Sequence, residues 1–413
     1  MKPVPQANLR KFFSTLSVLL VFLIGSPAAY GLTTWSGAVS TDWATAGNWS
    51  PAMVPDASAD ATVPTLPSSG RFPVISSGSL AVNNFTIQTG AVVTQTGGSL
   101  TVHDFIINSG GTYLQQGGDV DVNHDFTIKS GGTYVQQDGY LNLAHDFTLK
   151  SGATYLQQGG YLKLDHDWSN SGTFAATGGT VEFASGAKGN FTATNQFYNL
   201  IIDAGVDPSL FDKTGTGANS VGIAGDFINN RTIVSPGNNS TIVFNGTGDQ
   251  TIYSASVNST FGNLVVNKPS GTLSLTSSIM VVGDVAINDG TVDLGTNLLN
   301  RQTYGGNFAL NGDSVLAVGG AFPSNFANVN LGPGATVQYT DNIRLAIAPV
   351  NGSCRVSGTG TPGRTYRLQW ASGLSGGTWQ DVSGGTLTAD AAGHFECLAT
   401  PSAAVCFYRC AYP

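Results

Sequence analysis

Apolar and polar residues alternate along most of this chain in short runs, and the runs recur at a fixed spacing. One polar residue separates Phe126 from Ile128 and Leu141 from Leu143, which is the period of β-strands and not of helices. Gly, Ser, Asn and Asp lie between the runs and predict tight corners. The pattern therefore predicts an all-β chain of short strands.

Four consecutive segments between Asn84 and Trp168 are near copies of one another, and their His-Asp pairs recur every 21 residues. The segments are NFTIQTGAVVTQTGGSLTV, DFIINSGGTYLQQGGDVDVNH, DFTIKSGGTYVQQDGYLNLAH and DFTLKSGATYLQQGGYLKLDH. A fixed period of about 20 to 50 residues is typical of a solenoid, in which one coil cannot bury its apolar face alone. With three strands per copy, the sequence predicts a parallel β-helix of about 21 residues per coil.

The repeat becomes weaker after residue 170 but continues. The segment from Thr180, TVEFASGAKGNFTATNQFYNLIID, resembles the one from Thr241, TIVFNGTGDQTIYSASVNSTFGNLVVN, at an offset of about 60 residues, or three coils. We therefore divide the chain into a signal peptide (1–31), an N-terminal cap (32–64), a parallel β-helix of about 13 coils (65–340) and a small, β-sandwich-like C-terminal domain (341–413).

The start of the chain predicts export. Lys2, Arg10 and Lys11 precede the apolar run FFSTLSVLLVFLIG, which ends at small residues near Ala29, as in a secretory signal peptide. The whole chain has a net charge of −8, and these three basic residues lie in the leader, so the remainder carries −11. Such an acidic chain argues against nucleic acid as a partner. No later run is long enough to span a membrane, and we expect an extracellular or cell-surface location.

The His-Asp pairs form a column at one corner of the predicted coils. Catalysis needs one well-placed base and not a row of copies, so we interpret each Asp as a cap for the backbone N–H groups of its corner. The alternative is that stacked carboxylates recruit Ca²⁺. Zinc is disfavoured because stacked imidazoles point the same way, and no metal or cofactor is expected. The column consists of His103, His124, His145, His166, Asp104, Asp125, Asp146 and Asp167.

The motif TYLQQ or TYVQQ supplies a candidate ligand-binding face. If its third residue faces inward, its Tyr faces outward with an amide beside it, and a glycan strand could lie on such a surface. Two other interpretations stay open: the ladders merely stabilise neighbouring coils, or the assignment is inverted and Tyr faces inward. The inward stack would be Leu114, Val135 and Leu156, and the face would be Tyr113, Tyr134, Tyr155, Gln115, Gln136 and Gln157.

Both ends of the chain resemble known secreted proteins. The segment TTWSGAVSTDWATAGNWSPAMVPDASADATV, with Trp35, Trp43 and Trp49, resembles the leading segment of bacterial secreted β-helix proteins of the autotransporter-passenger type. The segments GTPGRTYRLQWASGL, DAAGHFE and FYR resemble a small C-terminal β-domain of verrucomicrobial secreted proteins. The resemblance implies fold and export and does not specify an activity.

Four cysteines, Cys354, Cys397, Cys406 and Cys410, lie in the final 60 residues. In an exported protein this clustering predicts two disulfides in a domain with little core of its own. Cys406 and Cys410 are too far apart on one strand to pair with each other. We favour Cys354–Cys410 with Cys397–Cys406, and the opposite pairing remains open.

These features favour a secreted or cell-surface structural or adhesive protein without a catalytic site. The alternative is a carbohydrate-binding or polysaccharide-degrading β-helix, because many such enzymes share the fold. Few basic residues and no acidic cluster interrupting the repeat argue against an enzyme. The expected partner is extracellular polysaccharide or another cell-surface component.

Overall fold

A computed structural model describes residues 31–184, 186–191, 195–206, 219–231, 240–256, 260–339, 343–361, 363–372, 378–400 and 406–411. The predicted signal peptide therefore lies outside the described residues, apart from Gly31. The chain is all-β: about 12 coils of a β-solenoid, each of about 21 residues, are followed by two small sheets. Among the described residues, no helix has the length and apolar character needed to cross a membrane.

The strands of the first coils follow one another at the spacing that the repeat predicts. They are β1 (Gly31–Trp35), β2 (Trp49–Ser50), β3 (Ala59–Val63), β4 (Val74–Ile75), β5 (Ser79–Ile87), β6 (Val92–Gln95), β7 (Ser99–Ile107), β8 (Thr112–Gln115), β9 (Asp119–Val122), β10 (Phe126–Ile128), β11 (Thr133–Gln136), β12 (Tyr140–Leu143), β13 (Phe147–Leu149), β14 (Thr154–Gln157), β15 (Tyr161–Leu164), β16 (Trp168–Asn170), β17 (Thr173–Ala176) and β18 (Thr180–Phe183). A 3-10 turn, Ala46–Asn48, lies between β1 and β2.

The less regular coils continue the solenoid to Tyr339, and three of their strands, β26 (Thr260–Phe261), β28 (Ile279–Val281) and β30 (Leu299–Arg301), form a separate parallel sheet. Their strands are β19 (Gly189–Phe191), β20 (Asn195–Phe197), β21 (Asn199–Ile202), β22 (Asn219–Ile223), β23 (Phe227–Asn229), β24 (Ser240–Phe244), β25 (Gln250–Ser254), β26 (Thr260–Phe261), β27 (Asn263–Leu275), β28 (Ile279–Val281), β29 (Val285–Asp293), β30 (Leu299–Arg301), β31 (Gly305–Leu310), β32 (Val315–Val318), β33 (Phe326–Leu331) and β34 (Thr336–Tyr339).

Each regular coil has three faces, and every face pairs in parallel with the same face of the next coil. Face 1 contains β10, β13 and β16, together with the last three residues of β5 and β7. Face 2 contains β6, β8, β11, β14 and β17. Face 3 contains β9, β12, β15, β18 and the first four residues of β5 and β7. The 21-residue period thus places equivalent residues directly above one another.

Identical inward side chains stack along the axis and form one core. Phe105 and Phe126 have ring centroids 4.8 Å apart, Phe126 and Phe147 5.4 Å, and Phe147 and Trp168 4.8 Å, with each of these rings at most 1% exposed. These aromatic rings therefore stack along one axis, as the parallel β-helix requires. Burying such side chains contributes roughly 1.5–3 kcal/mol each, and a single apolar cluster runs from Trp35 to Phe326.

The corner between faces 2 and 3 requires glycine. Gly118 has a φ of +77°, a region that L-residues rarely adopt, and a Cβ built there would lie 2.4 Å from the carbonyl oxygen of Gly98 in the preceding coil. Gly78 occupies the same corner in the first regular coil with φ +86°, but no atom lies near its Cβ position. The turn sets the φ, and the neighbouring coil adds the steric constraint.

Three tryptophans close the N-terminal end of the core. Trp43 lies 4.7 Å from Trp49, 6.5 Å from Trp35 and 5.2 Å from Phe85, the first ring of the aromatic stack. Buried Asn48 holds the loop above them, because its Oδ1 accepts the backbone N–H groups of residues 39 and 40 at 2.8 and 2.7 Å. The strands of this segment extend face 1, since β1 pairs in parallel with β3 and β3 with β5.

The chain ends in two three-stranded antiparallel sheets that share an apolar cluster containing Val356 and Leu368. The guanidinium of Arg364 lies 3.8 Å from the ring centroid of Tyr339, and the Thr361 hydroxyl donates to the carbonyl of Gly319 at 2.9 Å, so this part contacts the last coils. The strands are β35 (Arg344–Val350), β36 (Ser353–Thr359), β37 (Thr365–Ala371), β38 (Gln380–Thr388), β39 (His394–Ala399) and β40 (Phe407–Ala411).

Candidate functional site

The expected tyrosine face is wrong: the three rings lie inside the solenoid. Tyr113, Tyr134 and Tyr155 are 0% exposed and stack with centroids 5.2 and 4.9 Å apart. The amides expected beside them are buried as well; these are Gln115, Gln136 and Gln157. The residues expected to stack inward instead lie on the outer side of face 2, half-buried; these are Leu114, Val135 and Leu156.

Hydrogen bonds between coils explain why Tyr and Gln occupy the interior. The Tyr134 hydroxyl donates to Gln115 Oε1 at 2.8 Å, and the Tyr155 hydroxyl donates to Gln136 Oε1 at 2.8 Å. Gln136 Nε2 in turn donates to the backbone carbonyls of Gly139 at 3.3 Å and Tyr161 at 3.0 Å. Burial raises the pKa of the Tyr134 and Tyr155 hydroxyls well above the ordinary value, so they remain neutral donors. The column is structural and offers no ligand-binding surface.

The His-Asp column lies on the surface, at the corner between faces 3 and 1. The imidazoles stack in parallel, with centroids 4.8, 4.7 and 4.5 Å apart along the column. The Nδ1 atoms of the last three histidines approach the carboxylate of the preceding coil: His124 lies 2.8 Å from Asp104 and His145 lies 2.7 Å from Asp125. His166 and Asp146 repeat this contact at 2.5 Å.

Longer contacts within each pair connect these hydrogen bonds into one row. Nδ1 of His103 lies 3.5 Å from Oδ2 of Asp104, and the pairs in the next three coils have separations of 3.8 to 3.9 Å. The rings and carboxylates are between one-third and about one-half exposed. We call these eight residues the His-Asp ladder: His103, Asp104, His124, Asp125, His145, Asp146, His166 and Asp167.

Electrostatic effects in the ladder are clearest at the contact between His124 and Asp104. The hydrogen bond to Asp104 raises the pKa of His124, and nearby carboxylates act in the same direction. Burial acts to raise the pKa of Asp104, but hydrogen bonds from His124 and from the backbone N–H of Asp125 hold it below its ordinary value. That backbone contact, at 3.1 Å, is the corner capping that the sequence predicts for Asp.

A second cluster of charged groups lies on the outer side of face 3, and the sequence analysis missed it. The half-buried rings of Tyr140 and Tyr161 stack at 5.5 Å, and the Tyr161 hydroxyl donates to Oε2 of Glu182. Glu182 also hydrogen-bonds Asp203, and burial together with that neighbour raises the pKa of the Glu182 carboxyl. Lys163 lies opposite Glu182 in the pairing of β15 with β18. We call Tyr140, Tyr161, Lys163, Asp165, Glu182 and Asp203 the face 3 cluster.

Lys163 gives the face 3 cluster its positive charge. Its Nζ lies 2.7 and 3.0 Å from the two carboxylate oxygens of Asp165, and that contact raises the lysine pKa. In the two preceding coils the equivalent positions carry Asp121 and Asn142, so the pair is a departure from the repeat. The expectation that no acidic cluster interrupts the repeat is therefore wrong, and such departures are the signal that could have located it.

A buried lysine in the later coils has a structural environment. Lys268 is 0% exposed and donates to the carbonyls of Gly246 at 3.0 Å and Gly248 at 2.7 Å and to Gln250 Oε1 at 2.7 Å. Burial lowers its pKa. All three ammonium protons have acceptors, so this lysine stabilises a corner.

In the C-terminal part, the structure bonds neither Cys354 to Cys410 nor Cys397 to Cys406. Their neighbourhoods explain why the favoured pairing is wrong. Cys397 and Cys410 belong to one apolar cluster, where burial raises the pKa of the Cys410 thiol to about 11. Cys354 and Cys406 instead flank the hydroxyl of Tyr408, whose pKa burial raises to about 12.

The C-terminal part also contains an open groove of about 700 Å³ between strands β35, β36 and β39. Its polar lining includes Asp390, His394 and Glu396. Asp390 Oδ1 accepts the backbone N–H groups of Ala392 and His394 at 2.8 Å each, and these bonds lower its pKa. The Asp390 carboxylate therefore holds a turn at the rim of the groove.

Residues 34–171 match the profile of a family described as a domain of unknown function (DUF8693). The match covers the tryptophan-capped end and the regular coils, including the His-Asp ladder. No curated protein sequence and no solved structure matches the chain.

Proposed function

We propose that this chain is an exported, non-catalytic structural protein whose β-solenoid presents flat polar faces outside the cell. The observation that carries the proposal is the apolar cluster that joins buried residues from Trp35 to Phe326 within the described part of the chain. At about 4.8 Å per coil, about 12 coils form a rod of roughly 60 Å. Each coil buries the apolar edge of its neighbour, so the architecture suits a stiff spacer.

Sequence features support export. The basic residues Lys2, Arg10 and Lys11 and the apolar run after them have the order of a secretory signal peptide. The resemblance of the tryptophan segment to autotransporter-passenger proteins and of the C-terminal part to verrucomicrobial secreted proteins points to the same location. The acidic remainder of the chain suits a solvated exterior surface.

Protease treatment of intact native cells tests the proposed location. The full chain should be cleaved or released by an added protease, while a cytoplasmic marker stays intact. A variant that lacks residues 2–31 is the matched control and should remain protected inside the cell. Protection of the full chain in intact cells, with cleavage only after lysis, would contradict the proposal.

A second candidate function is saccharide binding, with polysaccharide degradation as its extension, and the face 3 cluster favours it. Half-exposed tyrosine rings beside carboxylates and an ammonium group are the groups that hold a sugar by apolar contact and hydrogen bonds. The Glu182 carboxyl, with a raised pKa and Asp203 beside it, has the properties of a general acid. The extracellular partner would then be a polysaccharide.

Affinity electrophoresis in gels containing soluble polysaccharides tests this second candidate. Retardation by one polysaccharide should disappear in Tyr161→Ser and persist in Tyr304→Ser, which removes a 77% exposed tyrosine elsewhere on the solenoid. Release of reducing ends that is lost in Glu182→Gln would add degradation to binding. Equal retardation of both tyrosine variants would place the binding elsewhere.

A further inference from the structure

The His-Asp ladder is a row of nitrogen and oxygen donors in which two imidazoles flank each of three carboxylates. In each such group, one donor atom from each of the three residues lies within 4.8 Å of the others. The groups overlap, because each inner histidine belongs to two of them. They are His103–Asp104–His124, His124–Asp125–His145 and His145–Asp146–His166.

The donor separations suit a small divalent ion. Zinc binds histidine nitrogen and carboxylate oxygen at about 2.1 Å, so two ligands of a tetrahedral site lie about 3.4 Å apart. Oδ1 of Asp104 lies 2.8 Å from His124 Nδ1, and its Oδ2 lies 3.5 Å from His103 Nδ1. Oδ1 of Asp146 lies 2.5 Å from His166 Nδ1 and 3.9 Å from His145 Nδ1. Two nitrogens as far apart as 4.8 Å need to approach by about 1.4 Å, which these half-exposed rings can do by rotation.

Two imidazole nitrogens and one carboxylate favour zinc over calcium. Calcium takes six to eight oxygen ligands, and each group supplies one carboxylate, whereas two imidazoles suit zinc and similar transition metals. From the sequence, zinc is disfavoured because stacked imidazoles point the same way, and the rings are indeed parallel. The carboxylate between consecutive rings supplies a third donor that the imidazoles alone lack. Water at the exposed side can complete the coordination.

We propose that the His-Asp ladder binds zinc, with two ions per chain. One ion is held by His103, Asp104 and His124, and the other by His145, Asp146 and His166. The middle group shares a histidine with each of these, so a third ion is excluded. The imidazoles bind through Nδ1 as neutral tautomers that keep their proton on Nε2. Each ion joins adjacent coils at a corner that is otherwise held by hydrogen bonds.

Calorimetric titration of the full chain with zinc chloride, after removal of metal by a chelator, tests the stoichiometry. Each variant keeps the four cysteines, so any zinc that the thiols bind is common to all samples and cancels in the comparison. His124→Asn removes two overlapping groups and leaves one complete group, and it should bind one ion fewer than the wild type. His124→Asn/His145→Asn leaves no complete group and should bind two fewer.

His394→Asn is the matched control, because this histidine lies in the C-terminal part, outside the ladder. It should bind as many ions as the wild type. Cobalt chloride supplies a second measurement: visible absorption of ladder-bound cobalt should fall by half in His124→Asn and vanish in the double variant. Far-UV circular dichroism verifies that each variant is folded.

Three results would overturn the proposal. The first is a double variant that binds as much zinc as the wild type. The second is a loss in His394→Asn equal to that in His124→Asn. The third is a ladder that binds three or four ions, which would mean that single histidines and not three-residue groups are the sites.

Discussion

Replacing Gln136 by Leu should destabilise the solenoid far more than the same change at Gln137. Gln136 is fully buried; its Oε1 accepts the Tyr155 hydroxyl at 2.8 Å, and its Nε2 donates to the carbonyl of Tyr161 at 3.0 Å. Leucine fills a similar volume but provides neither group, so a buried hydroxyl and a buried carbonyl lose their partners. Each unsatisfied group costs about 1–3 kcal/mol, and the apolar gain of leucine offsets part of this cost. We expect a loss of about 3 kcal/mol.

Gln137, the residue directly after the end of strand β11, is the matched control. Its side chain is exposed and exchanges surface hydrogen bonds with Gln116 and Gln158 at 3.0 and 3.1 Å. Surface substitutions of this kind usually change the free energy of unfolding by no more than about 0.5 kcal/mol. The two variants have the same composition, and the new leucine lies inside the coil in Gln136→Leu and on the surface after strand β11 in Gln137→Leu.

Urea denaturation followed by far-UV circular dichroism and by tryptophan fluorescence measures both costs. Coincidence of the two signals establishes that one cooperative transition is observed, and the shift in midpoint multiplied by the slope gives the change in free energy. Gln136→Leu should lower the midpoint strongly and Gln137→Leu hardly at all. Equal costs, or a cost below about 1 kcal/mol for Gln136→Leu, would refute the buried network.

Two further predictions concern the corner between faces 2 and 3 and the face 3 cluster. Gly118→Ala and Gly78→Ala both place a Cβ at positive φ, but only the Cβ at Gly118 meets a backbone oxygen, at 2.4 Å. In urea denaturation, Gly118→Ala should therefore lose at least about 1 kcal/mol more stability than Gly78→Ala. Equal losses would mean that the coils are not packed so closely at this corner. Burial raises the folded-state pKa of the Glu182 carboxyl above its ordinary value, so its contribution to stability is present below that ordinary value and lost as pH rises through the raised pKa. Glu182→Gln should therefore be more stable than the wild type at pH 7, by about 0.5 kcal/mol after solvent screening, and the difference should be gone at pH 3. Thermal unfolding that shows the opposite pH trend would mean that the pKa of Glu182 is not raised in the folded state.

The fold could be predicted from the sequence because near-identical copies recur at a constant period. Every copy carries the same alternation, so the in-register stack of Phe126 on Phe147 follows from the spacing alone. A parallel solenoid is then the arrangement that buries all copies in the same way. The irregular coils after residue 184 keep the parallel pairing, although their strand lengths vary from two residues in β26 to 13 in β27.

The orientation of face 2 could not be read from one copy, because the motif TYLQ places either Tyr with Gln or Thr with Leu inside. Hydrogen bonds between coils favour the orientation with Tyr and Gln inside, and a single repeat does not contain these bonds. Comparison of all copies carries the missing signal. The tyrosine position holds Val93 in the copy before and Phe174 in the copy after, whereas the leucine position holds Thr94 and Ala175. The first column is consistently large and apolar, as an inward column should be.

The face 3 cluster was missed for a related reason. A regular repeat directs attention to residues that recur, and the cluster consists of residues that do not. Lys163 and Glu182 each occupy a position that other coils fill with a different residue, and Asp203 approaches Glu182 from the next coil. Stacking converts a separation of about 20 residues into a contact, so departures at equivalent positions become neighbours in space.

Export is tested most directly by identifying the first residue of the protein that is present outside native cells. Protein from the medium and from the cell surface can be purified with an antibody to the solenoid, and its first residue can be determined by mass spectrometry of the N-terminal peptide. We expect the exterior protein to begin close to Gly31, where the first strand starts, and no exterior chain to retain Lys2. Intact protein that begins at Met1 and is confined to the cytoplasm would contradict the proposed export.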